Sequence, residues 1–284
     1  MGTILVTGPS GMIAGALVKS LVKAGKHKVV AMGRNEADLG VDYVFVKGEF
    51  NNLDDLSKLD EYDIDVLIHL AAVTGGCSEI DGMVVNVEGT RRLMCYLIEK
   101  GCKKFVMASS IAVIGIQSPE SRPLQLPIPD DHPCAYDGSY GFSKYMMEEV
   151  TRYYVRQNDD IDVIDIRLAA IIPDGPTEPY TPRPNHAWSM GHVVRMFLSD
   201  AVRVFTTAAE APHKHGVRIM NAAATKMNVE PNVPEMIRAW YPDTDLDLSH
   251  YEQPGHECDS LFDISLIRKE LGFIPNADPA PAEE

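Results

Sequence analysis

The sequence predicts an α/β fold: a doubly wound parallel sheet followed by a smaller, irregular region that caps it. Three observations carry this. Short apolar runs alternate with helix-like stretches at close intervals through the first half of the chain. Those runs are continuously apolar and do not alternate, as expected of parallel strands covered by helices on both faces. A glycine-containing turn also separates the first run from the first helix pattern, the arrangement of a doubly wound sheet.

Taken in order, Thr3–Thr7 (TILVT) is a predicted strand, Gly11–Ala24 a helix and His27–Met32 (HKVVAM) a strand. Tyr43–Val46 and Asp65–Leu70 (DVLIHL) are the next strands, with Asp54 and Asp55 marking a helix start between them, since carboxylates suit the positive end of a helix. One long helix is predicted over Glu79–Lys100, a strand over Lys104–Ser109 (KFVMAS), a helix over Tyr140–Gln157 and a strand over Asp162–Leu168. The pattern then loosens. Prolines at 173, 176, 179, 182 and 184 predict an irregular surface loop. Beyond it the reading places a helix over Trp188–Ser199, a strand over Val217–Asn221, and helices over Val233–Tyr241 and Ile264–Leu271. The apolar-poor end, Pro275–Glu284, reads as frayed. The division is therefore 1–169 for the sheet domain, 170–275 for the capping part with some segments rejoining the sheet, and 276–284 for the tail.

Composition narrows the partners. The 284 residues carry 26 Lys+Arg against 41 Asp+Glu, a net charge of −15, which argues against nucleic acid and anionic membrane surfaces. Cys77, Cys95, Cys102, Cys134 and Cys258 are odd in number and form no CxxC pair, which suits a reducing compartment. The first 25 residues have no basic start and contain Gly8-Pro9, Lys19 and Lys23, so they read as strand–turn–helix and not as a signal peptide. No stretch reaches the roughly 18 apolar residues that span a bilayer. The expectation is a cytoplasmic protein with a small-molecule substrate, no nucleic-acid or membrane partner, and a homodimer as the candidate assembly.

The turn Thr7-Gly8-Pro9-Ser10-Gly11-Met12-Ile13-Ala14 lets backbone approach a ligand and presents helix N–H groups to a pyrophosphate, as in Rossmann-type dinucleotide sites. Tyr140-Gly141-Phe142-Ser143-Lys144 puts a phenol and an ammonium one helical turn apart, where a neighbouring cation favours the phenolate. The same Tyr-x-x-x-Lys spacing recurs at 43–47 and 96–100. The first lies in a predicted strand, where four residues span roughly 13 Å; the second ends a helix away from the carboxyl ends of the strands. Only Tyr140 starts a helix downstream of a strand that ends in Ser109-Ser110, whose hydroxyls can donate to a developing oxyanion. Each serine also has a plain reading as a turn cap.

These pieces, TGPSGMIA (7–14), DVLIHLAA (65–72), NVEGT (86–90), SSIAVIG (109–115), YGFSK (140–144) and LFDISLIRKELGFIP (261–275), resemble, in order, the extended short-chain dehydrogenase/reductase family, also called the NAD-dependent epimerase/dehydratase family. The resemblance implies Tyr140 as general acid/base, Lys144 as its support and nicotinamide-ribose ligand, and Ser110 as holder of the reacting oxygen. It implies that Gly8, Gly11, Met12 and Ile13 cradle the pyrophosphate, that Leu70, Ala71 and Ala72 flank the cofactor, and that Glu49 and Phe50 lie beside the adenine. Substrate contacts fall to Thr74, Ser110, Ile111 and Tyr140. The chain departs from the family in Val113-Ile114-Gly115, where Val-Tyr-Gly is usual, and in the shortened stretch after Arg167, which weighs against a nucleotide-sugar substrate.

The second predicted strand ends in Gly33-Arg34-Asn35, with no carboxylate before Glu36. A guanidinium can pair with a ribose 2′-phosphate, so NADP is favoured over NAD, with Arg34 and Asn35 at the adenosine. Four lesser candidates have plainer readings. His213 and His215 read as a solvated loop and not as metal ligands, so no metal is expected. His69 reads as a satisfied core histidine. Asn86 is open between a helix cap and a proton relay, and Arg167 between an ion pair and substrate contact. The reading as a whole is an NAD(P)-dependent oxidoreductase acting on a secondary alcohol or ketone of a sugar-like molecule. The alternative is a nucleotide-sugar epimerase with recycled cofactor. A dehydratase is disfavoured because Ile111 and Ala112 stand where an Asp-Glu pair is needed, and a cofactor-sensing regulator because the Ser/Tyr/Lys set is intact.

Overall fold

A computed structural model describes residues 2–116, 121–136, 138–181 and 193–276. Seven parallel strands form one sheet in the order β3-β2-β1-β4-β5-β6-β9. They are β1 (Thr3–Thr7), β2 (Lys28–Gly33), β3 (Val44–Lys47), β4 (Val66–His69), β5 (Lys104–Ser110), β6 (Asp162–Leu168) and β9 (Gly216–Ala222). Every neighbouring pair is parallel, for example Val6 with Ala31 and with Ile68, and Ser110 with Leu168. The chain winds outward from β1 to β3 and then returns to the other side at β4, so the switch point lies between the carboxyl ends of β1 and β4.

Helices cover both faces. α1 (Met12–Ala24) turns Leu17, Val18 and Leu21 into one apolar layer with Ile4, Val6 and Val106. On the opposite face Leu93, Met94 and Leu97 of α4 (Thr90–Glu99) and Met147 of α5 (Ser139–Gln157) pack with Leu5, Leu67 and Phe105. The short helix α2 (Leu53–Leu56) starts where expected, its cap supplied by Asn52, whose Oδ1 accepts from Asp54 N at 2.9 Å. The long helix predicted over Glu79–Lys100 is α3 (Glu79–Asp81), a π-helical stretch (Gly82–Gly89) and α4 in unbroken succession.

The C-terminal half departs from the sequence reading. A helix was expected over Trp188–Ser199; positions 182–192 lie outside the described residues, and from there the chain forms β8 (Arg195–Phe197) and then helix α6 (Leu198–Glu210). The side chains of Ala201, Val204, Phe205, Ala208 and Ala209 bury one face of α6, which packs against α1 and β5. β7 (Ala170–Ile172), also unforeseen, pairs with β8 in a separate two-stranded sheet. α7 (Val233–Trp240) and α8 (Ser265–Leu271) match their expected places, and the expected frayed tail falls outside the described residues after 276. The described cysteines are all free thiols, and no described helix is long and apolar enough to cross a membrane.

Candidate active site

A cavity of about 670 Å³ opens at the carboxyl ends of β1, β2, β4, β5 and β6. That volume is ample for a cofactor with a small substrate. Its wall contains Gly8, Gly11, Met12, Ile13, Arg34, Asn35, Glu49, Phe50, Leu70, Ala71, Ala72, Thr74, Ser110, Ile111, Tyr140 and Lys144, so the residues singled out for cofactor or substrate, Arg167 apart, lie in one place.

The cradle is steric. Gly8 has φ +77°, and a Cβ there would meet Ala71 at 3.1 Å, so a side chain would both strain the backbone and push into the β4 loop. Gly11 caps α1 without a side-chain hydrogen bond, which leaves the first N–H groups of the helix facing the cavity. Thr7 closes the switch point: its Oγ1 accepts from Leu70 N and Ala71 N, both at 3.1 Å, and pairs with His69 Nδ1 at 2.8 Å. His69 Nε2 meets Thr90 Oγ1 at 3.1 Å, and burial pulls its pKa down to about 3. This is the satisfied core histidine expected.

The reactive set is assembled by close packing. A Cβ at Gly141 would lie 2.5 Å from Ala112 O, so only glycine lets α5 settle against the turn after β5 and bring Tyr140 to Ser110. The Ser110 hydroxyl hydrogen-bonds Tyr140 and also caps its own turn by accepting from Ala112 N at 3.2 Å. The buried Lys144 donates to Ala108 O at 2.6 Å, with Nζ 5.9 Å from the Tyr140 ring centre. Burial pulls Lys144 down to about 8, against the opposing pull of Asp165 and Glu148. The lowered phenol pKa expected from Lys144 is not found in the protein alone. Burial raises Tyr140 above its ordinary value, and the Ser110 hydrogen bond pulls it partly back. The physical reason is burial, which disfavours the charged phenolate more than the Ser110 contact favours it.

Several residues have roles the sequence reading missed. Asn86 is not a helix cap, because it stands inside the π-helical stretch with both amide groups engaged. It accepts from Val73 N and donates to Val73 O, each at 2.9 Å, and donates to Ser143 Oγ at 2.9 Å. It therefore ties the cofactor-side loop after β4 to the helix that carries Tyr140. Beneath the cavity, buried Arg167 forms a two-pronged pair with Glu148 at 2.9 and 2.8 Å, and Ser109 donates to Glu148 at 2.6 Å. Arg167 is thus an ion-pair partner and does not line the cavity, and Ser109 is structural. Asp165 accepts from Thr151 at 2.7 Å, and burial together with the Glu148 charge pushes its carboxyl well up. His213 pairs with Asp160 at 3.1 Å. Tyr96 and Lys100, near the end of α4, both contact Asp60 and do not line the cavity.

A model of the NAD dependent epimerase/dehydratase family matches residues 4–223. Similar curated proteins include a putative UDP-glucose 4-epimerase of Methanocaldococcus jannaschii, 28% identical over 161 residues, covering 54% of this chain and 51% of that protein. UDP-glucose 4-epimerase 4 of Oryza sativa subsp. japonica is 30% identical over 185 residues, covering 58% and 48%. The chain spans about half the length of these relatives. In fold, it is similar to a short-chain dehydrogenase/reductase superfamily protein from Agrobacterium tumefaciens with bound NAD. That likeness has a TM-score of 0.73 at 22% identity over 96% of this chain and 92% of that chain. The UDP-glucose 4-epimerase of Thermotoga maritima with UDP-glucose gives 0.69 at 17% identity over 96% and 94%.

Proposed function

The chain belongs to the NAD dependent epimerase/dehydratase family, and from that premise we propose that it is a sugar epimerase that keeps its nicotinamide cofactor bound. The supporting observation is that Ser110, Tyr140 and Lys144 share one cavity with the Gly8–Gly11 cradle. The UDP-glucose 4-epimerases among its relatives favour this over a reductase that exchanges free cofactor.

When bound, the nicotinamide takes and returns a hydride. Tyr140 removes the proton from the substrate hydroxyl as the carbon is oxidised and gives it back on reduction. Ser110 holds the oxygen in line with the phenol, and Lys144 supports the phenolate from below. Ile111 and Ala112, beside Ser110, offer no group that can move a proton, so the set does not extend to eliminating water. Within this proposal Arg34, at the adenosine end of the cavity with no carboxylate before Glu36, pairs with a 2′-phosphate, so NADP is accepted alongside NAD.

One observation favours a second reading, a dehydrogenase acting on a small free sugar. Among the described residues of the cavity wall, Leu168, Ala169, Ala170 and Ile171 carry no charge, and the two cations are Arg34 and Lys144. Nothing there but Lys144, already held by Ala108, would meet a substrate diphosphate. One experiment separates the readings. Purified protein is incubated with UDP-glucose and with free sugars and uronates, each with NAD and NADP, while absorbance at 340 nm and the sugar NMR spectrum are followed. Conversion of UDP-glucose to its 4-epimer with no net absorbance change supports the proposal. A stoichiometric absorbance change with a free sugar replaces it with the second reading.

A further inference from the structure

Away from the cavity, the segment between α7 and α8 gathers His250, His256 and Asp259, one ligand atom of each lying within 4.8 Å of the others. His250 Nε2 is 2.9 Å and His256 Nδ1 2.7 Å from the same oxygen, Asp259 Oδ2. From this convergence we infer that the three side chains form a zinc site, with two imidazole nitrogens and one carboxylate oxygen as ligands and water completing the tetrahedron.

The chemistry selects the metal. Two nitrogen donors with one oxygen suit Zn²⁺, whereas Mg²⁺ and Ca²⁺ prefer oxygen shells. Zinc bonds of about 2.0–2.2 Å at tetrahedral angles hold neighbouring donors roughly 3.3 Å apart. Each nitrogen therefore opens from Oδ2 by about half an ångström, while the two nitrogens, within 4.8 Å of each other, draw toward the same spacing. Lys226 does not occupy the shared oxygen: it donates to the other one, Asp259 Oδ1, and to Gly255 O at 2.7 Å. That contact orients the carboxylate with Oδ2 toward the histidines. The two imidazoles are 38% and 46% exposed, which leaves an entry path and a place for water.

The ligands are also held before any metal arrives. Asp259 N donates to His256 O at 3.0 Å, which sets the His256–Asp259 turn. Tyr251, next to His250, is buried and donates to Ser260 O at 2.9 Å, which fixes His250 over the other two. Met227 N to Cys258 O at 2.7 Å and Ser260 N to Thr225 O at 3.0 Å tie the turn to the segment that follows β9. A metal here needs little reorganisation. Since none of the three residues lines the cavity, its role is to brace the capping region.

The competing account is a hydrogen-bonded pin with no metal, in which both imidazoles merely donate to Asp259. Glutamine distinguishes the two, because its amide still donates to Asp259 but is a poor zinc ligand. The experiment is calorimetric titration of the untagged full chain with ZnCl₂ in a non-chelating buffer, with MgCl₂ as control and melting curves of each variant without metal. We expect about one equivalent of zinc per chain, no magnesium uptake, and a melting temperature that rises with zinc concentration. His250→Gln and His256→Gln should each weaken zinc binding at least tenfold while their metal-free melting temperatures stay at the parent value. Absence of saturable zinc uptake overturns the inference. So does zinc binding of unchanged affinity in the double variant, which would place the metal elsewhere.

Discussion

The sheet's switch point and the C-terminal half of the chain are built by different means. In the first half, parallel hydrogen bonds hold β1, β4 and β5 in register, so residues just past each strand end meet at one edge: Gly8, Leu70 and Ser110 share a cavity although they are far apart in sequence. In the second half, distant segments are joined mainly through single bridges and side-chain ties. Tyr180 pairs with Val229, Ile128 with Phe262, and Asn228 Nδ2 reaches Thr177 O at 2.8 Å. A sheet turns position in a motif into position in space. A region held by scattered ties does not, and its geometry has to be seen.

The largest effect should come from the register-built half. Tyr140→Phe removes one oxygen from a buried helix start, so turnover should fall by about 10²–10⁴-fold while bound cofactor, measured by release and absorbance, stays near the parent level. Activity within tenfold of the parent would remove Tyr140 from the reaction.

Stability should separate the halves as clearly. Glu148→Ala leaves the guanidinium of Arg167 buried without its carboxylate, a loss of about 3–5 kcal/mol by denaturant titration. In the C-terminal half, Arg238 and Glu252 form an ion pair with both side chains more than half exposed, and Arg238→Ala should cost at most about 1 kcal/mol. Equal losses from the two variants would mean that the two halves are held together by ties of equal strength.

Two buried groups of the sheet half make separable contributions to its pH dependence. His69 is held neutral, with a pKa near 3 against an ordinary 6.5. The unfolded chain therefore takes up a proton first, and stability falls as pH drops from 6.5 toward 3, at up to about 1.4 kcal/mol per pH unit. The difference between parent and His69→Gln melts from pH 6.5 to 4 should show that slope, which the raised carboxyl of Asp165 opposes in both proteins. Lys144, at about 8, loses its charge as pH rises through that value, so kcat/KM should decline on the alkaline side with a bend near pH 8. A profile flat to pH 10 would show that the ammonium is not needed.

What could be read without the structure follows the same line. Strand positions, the Gly8 turn and the Ser110–Tyr140–Lys144 set were legible because apolar runs and motif order encode a parallel sheet directly. Asn86 was not, since its partners, Val73 and Ser143, are 13 and 57 residues away and the π-helical stretch leaves no periodic mark. β7 and β8 are three residues each, too short to show a period. The signal for α6 was present, in Ala201, Val204, Phe205 and Ala208 at helical spacing, but lay beyond the proline-rich stretch where the pattern had been read as loose. The phenol's raised pKa comes from burial, which spacing does not reveal.

The smallest effect expected on binding lies at the edge of the cavity, where Arg34 is exposed and sheet register no longer constrains the side chain. An exposed guanidinium gains only part of what a buried pair with phosphate would, so its contribution to NADP binding should be about tenfold, or roughly 1.4 kcal/mol. Arg34→Ala should weaken NADP by that factor and leave NAD within about twofold, because NAD offers no phosphate at the 2′ position. Fluorescence titration of both cofactors against parent and variant measures this directly. A parent that ignores NADP, or a variant that loses both cofactors equally, would mean that Arg34 reads the shared adenosine and not the 2′-phosphate. The selectivity would then have to come from Asn35 or from Glu36, the first carboxylate after β2.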